Sequence, residues 1–236
     1  MTRIRTAVVL AGGEGLRLRP LTDDRPKVMV GVAGRPIVGW VVDWLRRNEF
    51  SKIVVGVAYK GNLVIDYLKS TVRGVDLRFS EHTVEGGTGE GFRVAIERHV
   101  QDENFLAMNG DELTDMQISQ FADFHLRNRG LVTVAVSRLR SPFGVVDLNR
   151  GTITGFREKA TIDRCYVSIG IYMFNRRILD LLPRAGNIET ETFPKLASRG
   201  SLKAFRHEGF WGTINTMKDL QEMDRKLSTE QATKPK

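Results

Sequence analysis

Residues 10–27, LAGGEGLRLRPLTDDRPK, combine glycines and cations at a spacing that suits a polyphosphate. Gly12, Gly13 and Gly15 lack the Cβ atoms that would hold backbone N–H groups away from phosphate oxygens. Arg17 offers a guanidinium fork, and Lys27 a point charge, to the same anion. The segment directly follows the apolar run Thr6–Leu10 (TAVVL), where a doubly wound sheet places its phosphate site. Two common phosphate loops are excluded. No Gly-Lys-Ser/Thr ends the segment, so it is not a Walker loop. The dinucleotide fingerprint needs glycine where Leu18 stands and an acidic residue about 20 positions on, yet the second strand begins only near Lys52.

The elements that must position these residues alternate. Thr6–Leu10, Lys52–Val57, 75–79 and 105–108 are short β-branched or apolar runs that predict buried strands. Residues 36–47, 62–70, 91–98 and 117–128 carry apolar side chains at helical spacing, the first with proline in its opening turn. This alternation predicts a parallel sheet with helices on both faces. After Leu131 the runs 131–137, 145–148, Thr152–Arg157 and 166–174 follow at shorter intervals, which predicts an antiparallel extension of the same sheet. Helices are expected over 176–182, 189–198 and 217–226, with a late strand at Leu202–Arg206. The fold class is therefore α/β: a doubly wound, Rossmann-like mixed sheet, mostly parallel with an antiparallel C-terminal extension. No linker divides the chain, so residues 1–227 read as one domain and 228–236 as a polar, disordered tail.

Composition narrows the partners. The 236 residues include 41% hydrophobic and 27% charged side chains, enough to build a sizeable core. No run approaches the roughly 20 apolar residues of a membrane span. The start, Met1-Thr2-Arg3-Ile4-Arg5, lacks a signal-peptide pattern, so a cytoplasmic protein is expected. The single Cys165 excludes an internal disulfide framework and a cysteine-rich zinc site. A net charge of +8 suits an anionic partner. Basic runs interleaved with aromatics are absent, as is zinc-finger spacing, which argues against nucleic acid and leaves a small phosphorylated ligand.

Taken together, Gly12, Gly13, Gly15, Arg17, Pro20, Thr22, Pro26 and Lys27 fill every fixed position of a known signature. The pattern resembles that of the sugar-1-phosphate nucleotidyltransferases: Leu-Ala-Gly-Gly, Gly, Arg-Leu, Pro-Leu-Thr and Pro-Lys. Later motifs follow in the family's order over about residues 6–226. Asn109-Gly110-Asp111 resembles its metal-binding Gly-Asp, and 143–145 its sugar-site glycine segment. Phe156-Arg157-Glu158-Lys159 resembles its Phe-x-Glu-Lys motif, and 207–211 its Gly-Phe-Trp block. Tyr59-Lys60-Gly61, Phe124-His125, 141–144 and 204–211 are most similar to the glucose-1-phosphate cytidylyltransferase branch. Residues 18–22 and 109–111 are closer to the guanylyl- and uridylyltransferase branches, which include the mannose- and heptose-1-phosphate guanylyltransferases.

The resemblance implies the nucleotidyltransferase fold and an enzyme that joins an NTP to a sugar 1-phosphate, with CTP or GTP as donor and Mg²⁺ as cofactor. It assigns Leu10, Ala11, Gly12, Gly13, Gly15, Gly87 and Thr88 to the nucleotide, and Arg17, Lys27 and Asp111 to catalysis. Gly144, Glu158, Lys159, Ser168 and Gly170 fall to the sugar phosphate. Relatives commonly form homo-oligomers, and that expectation comes with the resemblance; neither nucleic acid nor membrane is implied.

Three departures stand out. The family's second metal-binding Asp falls at Asn215 in the cytidylyltransferase frame and at Thr213 in the guanylyltransferase frame, so a carboxylate is lost either way. Asp111 with Asn215 is the expected metal pair. Glu90 replaces a glycine of the Gly-Thr-x-Gly loop at 87–90; it would point away, alter base selection or return a carboxylate to the metal. Ser168 replaces the Asn of an Asn-x-Gly motif near the sugar. The alternative these departures motivate is a weak or inactive nucleotide-sugar-binding regulatory protein on the same fold.

Overall fold

A computed structural model describes residues 4–233, with side chains through residue 229. In chain order the elements are β1 (Thr6–Leu10), β2 (Gly31–Val32), β3 (Arg35–Pro36), α1 (Ile37–Arg47), β4 (Lys52–Val57), α2 (Gly61–Thr71), β5 (Asp76–Glu81), α3 (Gly87–His99) and β6 (Asn104–Asn109). They continue with β7 (Glu112–Thr114), α4 (Ile118–Asn128), β8 (Val132–Arg140), β9 (Val145–Asn149), β10 (Thr152–Arg157), β11 (Thr161–Asn175), α5 (Ile188–Glu191), α6 (Phe193–Ser198), β12 (Leu202–Arg206), β13 (Trp211–Thr213) and α7 (Met217–Thr233).

Seven strands form one sheet in the order β12-β8-β11-β6-β1-β4-β5. The chain runs outward from β1 through β4 to β5, then returns to place β6 on the other side of β1. That reversal opens a crevice beyond the carboxyl ends of β1 and β6, the usual ligand position in such sheets. β11 runs antiparallel to both β6 and β8, while β12 is parallel to β8. Strand alternation feeds two cores. Ala7 and Val9 pack with Leu45, Phe50 and Met108 on one face. Val8 and Leu10 pack with Phe92, Phe105 and Tyr172 on the other. Burial on both faces explains why the early strands read as unbroken apolar runs.

Several expectations need correction. Residues 145–148 and Thr152–Arg157 do not extend the main sheet; β9 and β10 pair only with each other, as a hairpin. The expected helix at 176–182 is 3₁₀ (Arg176–Leu181), and that at 189–198 is broken at Thr192 into α5 and α6. The last helix runs on to Thr233, through residues read as the start of the tail. Residues 234–236 of that tail, like Met1–Arg3, lie outside the described residues.

His125 illustrates a polar group the fold must satisfy internally. Its ring is buried against β8, with Nδ1 2.8 Å from Thr133 Oγ1 and Nε2 3.1 Å from Asn104 Oδ1. A neutral ring protonated at Nε2 satisfies both contacts. Burial pushes its pKa down from 6.5 to about 4. The unfolded chain therefore binds more protons between those values, and stability should fall as the pH drops from 6.5 toward 4. Urea midpoints at pH 7 and pH 5 should show a smaller difference in His125→Gln than in the parent; parallel profiles would remove His125 as the cause.

Candidate functional site

The glycine loop leaves β1 and folds back on itself. Lys27 N donates to Gly13 O at 3.2 Å, and Thr22 Oγ1 donates to Gly15 O at 3.0 Å. These bonds bring the Pro26-Lys27 end of the motif under its glycine end. β6 arrives alongside: Gly110 N donates to Leu10 O at 2.7 Å, and a Cβ on Gly110 would lie 2.7 Å from that same oxygen. Glycine is what permits this approach, and it sets Asp111 beside the loop.

Asp111, Lys27, Arg17 and Asn215 meet there, from segments far apart in sequence. Lys27 Nζ donates to Asp111 Oδ2 and, at 2.8 Å, to Asn215 Oδ1. Arg17 Nη2 reaches the same amide oxygen at 3.5 Å. Asn215 is held by the start of α7, where Asp219 Oδ2 accepts from the backbone N–H groups of Asn215 and Thr216, and Asp219 N donates to Thr216 Oγ1. This is a capping box, read from a threonine followed three residues on by an acid. Thr213 lies instead on β13, paired with Glu112. Of the two frames, Asn215 is the one that joins the cluster.

A cavity of about 260 Å³ opens beside the cluster, lined by Leu10, Gly12, Gly13, Lys27, Asp111 and the start of α3 at Gly87 and Thr88, among others. Ala11, by contrast, is fully buried beneath the loop and donates to Gly56 O at 2.6 Å. It supports the loop without facing the cavity. Thr88 is tied down as well: its N–H reaches Asn187 Oδ1 at 3.2 Å and its hydroxyl donates to Glu189 Oε2 at 2.8 Å. Glu90 bonds to the loop that precedes α3: its Oε2 accepts from Thr83 N at 2.9 Å and Thr83 Oγ1 at 2.6 Å.

Sequence reasoning missed three participants. His82, just beyond β5, lines the cavity; a Cβ on Gly12 would lie 2.8 Å from its Nε2. Its Nδ1 is buried with no hydrogen-bond partner among the described residues, and burial holds its pKa below the usual histidine value. Asn187 also lines the cavity, some hundred residues from the Thr88 it contacts. Glu112, next to Asp111, is buried on β7 and accepts from Trp211 Nε1 at 2.7 Å. Burial and the neighbouring Asp111 charge push its carboxyl well above the ordinary range.

The sugar-side positions are more dispersed. Gly170 sits at φ +68° on β11, and a Cβ there would lie 2.8 Å from Glu112 Oε1 and 2.9 Å from Asn109 Nδ2. That bare spot lets β11 close against the Asn109–Glu112 turn. Ser168 Oγ accepts from Gly170 N at 3.4 Å. Gly144 packs on Phe156 within the β9–β10 segment. Glu158 and Lys159 follow β10 and are exposed. Among the described residues, no hydrogen bond or ion pair connects these two to the Lys27–Asp111 cluster.

The donor set of the cluster is one carboxylate and one amide oxygen, both hard ligands. It fits a Mg²⁺ ion that takes its remaining ligands from phosphates and water. It does not fit a cation caged by protein alone: no group of three His, Cys, Asp or Glu side chains gathers at one point among the described residues.

Comparisons with known proteins agree with this architecture. The sequence profile of the Nucleotidyl transferase family matches residues 6–230. The mannose-1-phosphate guanyltransferase of Yarrowia lipolytica is 34% identical over 222 residues, covering 90% of this chain and 61% of its own length. The glucose-1-phosphate cytidylyltransferase of Salmonella typhimurium is 29% identical over 236 residues, covering 90% and 92%. The chain thus spans about three-fifths of the guanyltransferases it matches, 61% and 62% for the Yarrowia and Candida glabrata proteins. In fold it is similar to HddC of Yersinia pseudotuberculosis, with a TM-score of 0.77 at 22% identity over 95% of this chain and 100% of that one. No helix among the described residues is long and apolar enough to cross a membrane.

Proposed function

This chain belongs to the nucleotidyl transferase family, and from that premise we propose that it transfers a nucleotidyl group from an NTP to a sugar 1-phosphate, releasing pyrophosphate. One observation carries the reading: Lys27, beneath the glycine loop, meets Asp111 and Asn215 at the edge of a cavity that the loop itself lines. The names of the relatives point to GTP or CTP as donor and to a hexose 1-phosphate as acceptor.

In the reaction, a phosphate oxygen of the sugar 1-phosphate attacks the α-phosphorus in line. A P–O bond forms there as the bond to the β-phosphate breaks, and pyrophosphate departs with its electron pair. No covalent enzyme intermediate is needed, so catalysis comes from positioning and charge. Arg17 and Lys27 orient the triphosphate and balance the charge that grows on the leaving pyrophosphate. The glycine loop presents backbone N–H groups to the same oxygens. Asp111 and the Asn215 amide oxygen would hold Mg²⁺, which supplies charge neutralisation between phosphate oxygens when bound. Gly144, Glu158, Lys159, Ser168 and Gly170 take the sugar phosphate, with Lys159 brought in by the β9–β10 hairpin. Residues 1–227 act as one catalytic unit.

The test is pyrophosphate release with Mg²⁺, crossing CTP, GTP, UTP, dTTP and ATP with glucose, mannose and heptose 1-phosphates. Turnover with CTP or GTP, lost in Asp111→Ala, is the expected result. The loss of a carboxylate at Asn215 favours the second reading, a regulatory nucleotide-sugar binder. Silence across the panel, with nucleotide still binding by calorimetry, would select it.

A further inference from the structure

A cleft near the sugar-side residues is lined in a way a neutral hexose does not require. It measures about 800 Å³ and lies between the ends of β8 and β11 and the segment that links β12 to β13. Three arginines line it: Arg138, Arg140 and Arg206. None of the three forms an ion pair among the described residues, whereas Arg35 and Arg157 elsewhere are paired with Asp43 and Asp147. Glu208 is the one carboxylate among the described lining residues.

The arginines are placed by the sheet. Arg138 of β8 stands opposite Tyr166 of β11. The Arg206 guanidinium lies over the ring of that same Tyr166, 5.0 Å from its centroid, a contact that favours this placement of the cation before any ligand binds. Arg140 stands opposite Thr161, and its Nε donates to Lys159 O at 3.3 Å. The cleft wall therefore begins at the backbone of the lysine assigned to the sugar phosphate. Its other wall is Trp211, whose indole donates to Glu112, the residue against which Gly170 packs. Val167, next in sequence to Ser168, also lines the cleft and sets it beside the sugar positions.

Hydroxyl groups of a hexose are commonly held by carboxylates, amides and backbone groups. Guanidinium forks without carboxylate partners match anionic oxygens instead. Resting on the transferase reading above, the geometry points to an acceptor that carries a second anionic group, a phosphate or carboxylate on the sugar distant from its C1 phosphate. Arg138 and Arg206 bind that second group, and Arg140 braces the wall between it and Lys159.

The test compares glucose 1-phosphate, glucose 1,6-bisphosphate and glucuronic acid 1-phosphate, each with GTP or CTP. All three share one ring configuration, so a preference for another epimer lowers them alike. The full chain should show kcat/KM at least about tenfold higher for one or both of the doubly anionic acceptors than for glucose 1-phosphate. The bisphosphate and uronate arms separate phosphate from carboxylate. In Arg138→Gln/Arg206→Gln, both exposed positions, that ratio should fall to about one. A ratio near one in the parent, or one unchanged in the double variant, overturns the proposal. If no acceptor turns over with any NTP, the transferase reading fails, and calorimetry with the same three acceptors decides the cleft separately. Tighter binding of a doubly anionic acceptor that the double variant loses supports it; equal or absent binding overturns it.

Discussion

Lys27→Met should lower the rate of pyrophosphate release by about 10²–10³-fold, the cost of removing one preorganised charge from a phosphoryl-type transition state. The side chain is held before any substrate arrives: its stem packs beneath Gly15, and its ammonium donates to both Asp111 and Asn215. Methionine keeps the stem and loses the charge, so the loop should stay folded while the Asp111 carboxylate loses its partner. The loss should appear mainly in kcat, because charge on the departing pyrophosphate grows after binding. Lys27→Arg should rescue poorly. A planar fork cannot direct its donors at Asp111 and Asn215 from the same point beneath Gly15. Steady-state kinetics of the two variants, with thermal melts to confirm folding, checks this. A decrease of less than about fivefold in Lys27→Met would show that its ammonium serves the resting structure and not the reaction.

Why the sequence revealed this cluster so clearly has a local explanation. Arg17 and Lys27 lie on one short segment that closes by its own backbone bonds, and Asp111 follows a strand whose apolar run is unmistakable. The early strands and their helices were legible for the same reason, since burial on both faces writes itself into composition. The misses have a different origin. Glu112 belongs to β7, whose pairing with β13 joins residues about a hundred positions apart, and no local pattern marks a three-residue strand. His82 reaches the cavity through space left by glycines on other segments, chiefly Gly12 and Gly91. Asn187 acts through a contact with Thr88 across the molecule. The β9–β10 hairpin shows the converse error. Its two strands are real, yet a run that reads as a strand does not say which sheet it joins. Glu90 could not be assigned because its partner, Thr83, decides its direction, and a sequence holds no record of that choice.

Asn215→Asp should raise the affinity for a divalent cation by about tenfold, since a second carboxylate adds a full charge to a site that now has one. The substitution is conservative in shape, and Asn215 Nδ2 donates no hydrogen bond among the described residues, so no donor is lost. The capping bonds that hold the residue run through its backbone and Asp219, and these persist. Mn²⁺ titration followed by electron paramagnetic resonance reads the affinity without turnover, and the metal concentration for half-maximal pyrophosphate release reads it again during catalysis. An unchanged Mn²⁺ affinity would place the cation away from Asn215. The rate at saturating metal then carries the finer argument. A faster enzyme would mean that asparagine limits the parent. A slower one, despite tighter metal binding, would mean that a second carboxylate draws Lys27 and Arg17 away from the phosphates they must balance. The parent cluster opposes two cations with one anion, and that surplus favours an incoming polyphosphate. On the proposed reading, asparagine at 215 would exchange a grip on the metal for a stronger pull on the nucleotide, and the variant measures both sides of that exchange.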